Sequence, residues 1–149
     1  MKYVELDENS AAFLVKIFSN PEYDLYFAEN ETTEEQWKER FVYFADKKSH
    51  IIYKGTSPVG WIMYEVKETV CNIDIIVLLD EERHKGYGQE IIHDIIEKNE
   101  GLRAIKLDVQ KRNIAACKFY EKMGFRVVDT EQQPVGDGIE DYYKLQLDI

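Results

Sequence analysis

The chain has little cysteine, little proline and little positive charge, and each shortage narrows what it can be. Its two cysteines, Cys71 and Cys117, have neither a paired framework nor metal-ligand spacing, so free thiols and no metal are expected. Cys117 falls within a helical stretch and reads as a small helix residue rather than a nucleophile. Three prolines and eight glycines are too few for a linker or a low-complexity segment, and no repeat is present. One domain over residues 1–149 is expected, long enough to bury roughly two thirds of its unfolded surface. No apolar run reaches the ~20 residues of a membrane span. Met1-Lys2-Tyr3-Val4-Glu5 lacks a signal-peptide pattern, which predicts a cytoplasmic protein with no membrane partner. Positive charge is outnumbered, 19 Lys and Arg against 29 Asp and Glu, and a net charge of -10 argues against a nucleic-acid partner. Such acidity suits a cationic substrate such as an amine, although solubility alone explains it in many cytosolic proteins.

What is present is a strand, a basic glycine-bearing turn and a helix, centred on Arg83-His84-Lys85-Gly86-Tyr87-Gly88. The run Ile73 to Leu79 before the turn is rich in β-branched residues, as a buried strand is. After it, Ile91, Ile92, Ile95 and Ile96 recur at i, i+1, i+4 and i+5, one wide apolar stripe on a helix. Glycine lets a ligand approach the main chain, and a helix start presents unpaired N–H groups and a positive dipole end. Together these attract a phosphate. Two familiar phosphate loops are excluded. A dinucleotide fingerprint would need a third glycine where Ile91 stands, and a P-loop would need Gly-Lys-Ser/Thr opening the helix.

A second motif, LDVQKRNIAACKFYEKMGF, runs from Leu107 to Phe125. It reads as a strand end, a turn, Asn113 as N-cap and a helix stopped by Gly124. Ala116, Phe119, Tyr120 and Met123 fall on one apolar face. With Arg-x-x-Gly-x-Gly at Arg83–Gly88 and Asn-x-x-Ala-x-x-Phe-Tyr-x-x-x-Gly-Phe at Asn113–Phe125, in that order, the sequence resembles the GNAT superfamily of N-acetyltransferases. The resemblance extends over most of the chain, its first third being matched in pattern only. It implies an α/β (α+β) GNAT fold with a mixed central sheet of about seven strands and about four helices, the fourth and fifth strands splayed around acetyl-CoA.

Local signals lay out the elements. Strands are expected at Lys2–Leu6, His50–Tyr53, Val59–Val66, Val70–Leu79, Ala104–Val109, Phe125–Thr130 and Glu140–Leu147. Helices are expected from Glu8-Asn9-Ser10 to Phe18, and from the capping box Thr33-Glu34-Glu35-Gln36 to about Ala45. Asn20-Pro21 closes the first of them. Residues 22–32 carry Tyr23, Tyr26, Phe27, Glu29 and Glu31 without a clear period, and 134–138 reads as a flexible loop. Tyr142 or Tyr143 is expected to face inward.

The resemblance also implies the chemistry, acetyl transfer from acetyl-CoA to an amine by direct attack through a tetrahedral intermediate. It places cofactor contacts at Val77, Leu78 and Leu79 (main chain beside the pantetheine arm), at Arg83, His84, Lys85, Gly86, Tyr87, Gly88 and Gln89 (diphosphate), and at Asn113, Phe119 and Tyr120. Tyr120 stands where the family carries its general acid. For the general base nothing transfers. Asp74 is the first candidate, with Glu65, Asp24 and Glu29 beside it, and a solvent-facing strand carboxylate explains Asp74 equally well. His50 and His93 read as surface or strand-edge histidines. The rival to the enzyme is a GNAT-fold acyl-CoA-binding module or sensor without turnover, and a nucleotide-binding regulator is a third reading. The expected partners are acetyl-CoA and an amine acceptor. Dimerisation, common in that family, leaves no sign of its own in this sequence.

Overall fold

The computed structural model describes residues 1–149, except for the side chain of Asp24. The strands are β1 Lys2–Glu5, β2 Lys48–Lys54, β3 Ser57–Lys67, β4 Val70–Leu78, β5 Ala104–Gln110, β6 Arg126–Val135 and β7 Gly138–Asp148. The helices are α1 Ser10–Phe18, α2 Pro21–Phe27, α3 Glu34–Phe41, α4 Tyr87–Lys98 and α5 Ile114–Met123. One mixed sheet of seven strands runs in the order β1-β2-β3-β4-β5-β7-β6. Only β4 and β5 pair in parallel, because a helical crossover, α4, joins them.

Helices cover both faces of the sheet and make two cores. On one face the isoleucine stripe of α4 (Ile91, Ile92, Ile95) packs on Ile52, Ile62, Cys71, Ile73 and Ile105. On the other, Leu14, Ile17 and Phe18 of α1 and Trp37 of α3 pack on Ile51, Trp61 and Val77. A bulge in β4 decides which strand residues serve which core. Met63 pairs with Ile75 and Tyr64 with Ile73, leaving Asp74 as the extra residue. A one-residue slip reverses the facing of every later side chain. Ile76 and Leu78 therefore join the α4 core, and Ile75 and Val77 join the α1 core.

Three local expectations need correction. A fifth helix, α2, occupies part of the stretch that shows no period. Proline tolerates a first helical turn because its missing N–H would be unpaired there anyway. Asn20 caps that helix by accepting from the Glu22 amide at 2.9 Å. The Pro21 that ends α1 thus begins α2. Second, α3 stops at Phe41 and the chain continues as a 3-10 turn over Val42–Phe44. Third, 134–138 is not a loop. β6 continues through Pro134 to Val135, and Gly136-Asp137 forms a two-residue hairpin turn with Gly136 at φ +57°. Pro134 is tolerated because β6 is the last strand of the sheet. As for the tyrosine pair on β7, Tyr143 packs against the α4 core and Tyr142 accepts from Gln110 at 3.1 Å.

Gly60 of β3 opposes Leu78 of β4. A Cβ at Gly60 would collide with the Val77 carbonyl and come within 2.8 Å of Leu78 Cδ2. Gly60→Ala should therefore cost about 1–3 kcal/mol, a fall of several degrees in Tm on thermal unfolding. An unchanged Tm would show that β3 and β4 do not approach this closely.

Candidate active site

The parallel pairing of β4 with β5 covers only Val70–Ile73 against Ala104–Leu107. Beyond Ile73 the two strands part, while β5 stays paired to β7 as far as Gln110↔Tyr142. A cleft of about 860 Å³ opens at this fork, lined by Ile76, Val77 and Leu78, the turn residues Arg83, His84 and Gly86, the start of α4, and α5. Tyr23, Tyr26 and Phe27 of α2 close its other side. Gln110 and Arg112 hold α2 there. Gln110 Nε2 donates to the Tyr26 carbonyl at 2.9 Å, and the Arg112 guanidinium donates to the Leu25 carbonyl.

The turn presents its main chain. None of the six amides from His84 to Gln89 donates to a partner among the described residues. His84 at φ +62° and Gly86 at φ +80° are left-handed, and such alternation curves successive N–H groups into an anion-binding nest. A left-handed histidine is uncommon, and backbone strain of this kind clusters at functional sites. Side-chain charge at the turn is already matched. Arg83 lies 3.5 Å from Glu22 and 3.6 Å from Asp80, and Lys85 lies 3.1 Å from Glu82. What this turn offers an anion is therefore its amides rather than free side-chain charge.

On the strand side, the Leu79 amide donates to the Val59 carbonyl at 2.8 Å. That bond turns the main chain of Leu79 toward β3, and its side chain is buried. Alternation along the strand then directs the main chain of Leu78 and Ile76 to the open edge. The Tyr23 hydroxyl donates to the Leu78 carbonyl there. Burial raises the Tyr23 pKa, so the hydroxyl keeps its proton. Of the three strand residues expected at the ligand, Val77 and Leu78 line the cleft, Leu79 does not, and Ile76 takes its place.

Helix α5 forms the far wall. Asn113 caps it by accepting from the Ala116 amide at 3.2 Å, and Gly124 closes it at φ +99°. No residue of α5 is fully buried, because its apolar face borders the cleft as well as the core. A Cβ on Gly88 would lie 2.8 Å from Phe119 Cζ, so any larger residue there would displace the Phe119 ring. Tyr120 stacks edge-on between Phe119 and Phe125 (5.2 and 5.3 Å between centroids). Burial pushes its pKa up to about 12. It lines the cleft, and its hydroxyl has no hydrogen-bond partner among the described residues. Lys118 and Lys122 of α5 also line the cleft without a carboxylate partner among the described residues. Their i, i+4 spacing, which puts both on one face of α5, is the signal in the sequence for this pair of charges.

The candidate bases scatter. Asp74, the bulge residue, is not among the residues lining the cleft, and Lys47 holds its carboxylate at 2.8 Å. Glu65 lies 3.4 Å from Lys67. Glu29 accepts from Arg40 at 2.8 Å and from the Thr32 hydroxyl, beside a smaller cavity. The Asp24 side chain lies outside the described residues.

Comparison with known proteins places this geometry. Residues 11–125 match the acetyltransferase (GNAT) family. The N-acetyltransferase YobR of Bacillus subtilis is 42% identical over 52 residues, 34% of this chain and 21% of that protein. The match thus spans about a fifth of the length of that relative. The fold is shared with the spermidine N-acetyltransferase of Vibrio cholerae, solved with CoA and spermine, at a TM-score of 0.79 and 16% identity, over 98% of this chain and 94% of that one. It is shared also with the ribosomal-protein-S18-alanine N-acetyltransferase of Escherichia coli, at 0.74 and 17%, over 99% and 93%. An acetyltransferase of Bacillus anthracis aligns at 0.77 and 19%, over 99% and 98%.

Proposed function

The chain belongs to the GNAT acetyltransferase family, and from that premise we propose that it moves acetyl from acetyl-CoA to a primary amine by direct attack. The observation that carries this reading is the set of six amides, without a partner among the described residues, on a turn with two left-handed residues at the mouth of the β4/β5 fork. Such a nest fits a diphosphate, and the fork beyond it fits an extended arm that pairs with the free edge of β4. Lys118 and Lys122 add positive charge along the same wall.

In this reading, main-chain groups of Ile76 and Leu78 hold the arm and orient the thioester. An amide N–H at that edge, aimed at the developing oxyanion, is worth about 3–4 kcal/mol of barrier. The amine nitrogen attacks the thioester carbon, the C–N bond forms, and the C–S bond breaks. Tyr120 donates a hydrogen bond from its hydroxyl to the departing sulfur, and the proton that the nitrogen sheds as the amide forms passes to that sulfur. Before the attack the ammonium form must lose a proton as well. At a pKa of about 10.4 that costs roughly 4–5 kcal/mol at pH 7. Of the described carboxylates named above, Glu29 is the one bordering a cavity next to the cleft, and proton loss is assigned to it or to water entering there. An acetyl-CoA consumption screen over polyamines, aminoglycosides, amino acids and peptide N-termini tests the proposal. Turnover of at least one class is expected. Tight acetyl-CoA binding with no turnover of any class would favour an acyl-CoA-binding module instead.

A further inference from the structure

The α5 wall of the cleft carries charge that the turn does not use. Ala115, Lys118, Phe119 and Lys122 recur at i, i+3, i+4 and i+7 along α5, which places them on one stripe, and all four line the cleft. Phe119 shows which way that stripe faces. Its Cζ lies 2.8 Å from the position of a Cβ on Gly88, so the stripe looks across at the start of α4. The open amides of His84–Gln89 lie at that helix start. Lys118 and Lys122 thus flank the ring that abuts the anion-binding turn.

On the turn itself the cations are engaged, Arg83 by Glu22 and Asp80, and Lys85 by Glu82. Lys118 and Lys122 have no carboxylate partner among the described residues, although Glu121 lines the same wall. The helix dipole favours a cation in the last turn, which accounts for Lys122 but not for Lys118. Coenzyme A brings a charge that the amides leave unmatched. Its diphosphate suits the turn, but a third phosphate hangs from the 3′ oxygen of the ribose, at the end of the molecule away from the thioester arm. That group is a phosphomonoester and carries about −1.5 to −2 charge at pH 7. A chain of net charge -10 repels it unless cations stand close by. An ammonium on a flexible stem meets such a charge without needing a fixed direction of approach.

We infer that Lys118 and Lys122 form the subsite for the 3′-phosphate of coenzyme A, and that they make the protein select CoA over dephospho-CoA. The inference rests on the acetyl-transfer reading and adds to it the part of the cofactor outside the diphosphate and the arm. The amides of the turn hold the diphosphate, and the two ammonium groups close on the monoester one ribose away. Both side chains are exposed, so the contact forms on binding and is screened by salt.

The test is a calorimetric cycle with CoA and dephospho-CoA, which differ only in the 3′-phosphate. The wild-type protein should bind CoA about 3- to 30-fold more tightly, the sum expected of two exposed charge pairs. In Lys118→Ala/Lys122→Ala that preference should fall to within about 2-fold. It should shrink in the same way when salt is raised over the wild-type protein. Equal affinity of the wild type for both ligands overturns the inference. So does a preference that survives the double substitution, whether both ligands weaken alike or neither does. The salt series keeps the test decisive should the variant fail to fold, because a preference that salt leaves intact does not come from exposed charge and overturns the inference as well. If neither ligand binds the wild type, the acetyl-transfer reading falls and this subsite with it, whereas equal binding of both sinks the subsite only.

Discussion

Tyr120→Phe should lower acetyl transfer about 100-fold and leave acetyl-CoA affinity unchanged. The size follows from the environment of the hydroxyl. General acids contribute about 10²–10⁴-fold, the upper end needing a pKa near the working pH. Burial has pushed Tyr120 up to about 12, well above the ~8.5 of an ordinary thiol. Complete transfer of its proton to a thiolate is therefore uphill, and Tyr120 serves best as a hydrogen-bond donor to the departing sulfur. A hydrogen bond to a charged group is worth about 1.5–3 kcal/mol, which is 10- to 150-fold in rate. The pH profile follows with a definite sign. Burial disfavours the phenolate, so Tyr120 stays protonated at every pH below about 11. kcat/KM should rise with pH as the free amine accumulates, with no fall from Tyr120 before that limit. Steady-state kinetics of both proteins from pH 6 to 10 check this. Unchanged transfer in Tyr120→Phe, or a wild-type rate that falls between pH 8 and 10, would remove Tyr120 from the chemistry.

Gly88→Ala should weaken acetyl-CoA binding by about 5- to 150-fold, the range that overpacking by one methyl typically costs. The added Cβ meets Phe119 Cζ at 2.8 Å, and the ring can yield only at the expense of the cleft that it lines. Gly86→Ala acts differently. Nothing lies within 4 Å of its Cβ position, but φ +80° costs a side chain roughly 1–2 kcal/mol, or about 10-fold if the turn relaxes. Lys85→Ala should change affinity by less than about 3-fold, because the exposed ammonium is already paired with Glu82 and exposed pairs are worth little. The order Gly88, Gly86, Lys85 in calorimetry is the signature of main-chain recognition. Lys85→Ala as the most damaging of the three would instead indicate a site built from side-chain charge.

The sequence displays the wall of the site better than its contents. Arg83–Gly88 and Asn113–Phe125 are legible because tight turns and caps demand particular residues, and glycine and asparagine announce them. The spans of the strands and the helices after Gly86 and Asn113 follow from apolar runs of distinct period, whereas the place of β7 between β5 and β6 does not. What stays hidden depends on tertiary contact. A left-handed His84 carries no signature, since histidine adopts that conformation in only a minority of its positions. The Asp74 bulge is visible only once β3 is laid beside β4, and it redirects Ile75 and Ile76 to opposite cavities. Helix α2 is too short to show a period, although Asn20-Pro21 is a serviceable N-cap and first-turn pair. Leu79 lies at the right place in sequence for a ligand contact but bonds to Val59 instead. The indole N–H of Trp37, buried without a partner among the described residues, has no trace in the sequence.

Titration calorimetry of the protein with acetyl-CoA, ATP and NAD bears most directly on whether the open amides of His84–Gln89 grip the diphosphate of coenzyme A. Acetyl-CoA should bind well ahead of both nucleotides, because they too carry phosphates but have no arm to pair with the edge of β4. Equal or tighter binding of ATP or NAD, or no heat with acetyl-CoA, would contradict the account.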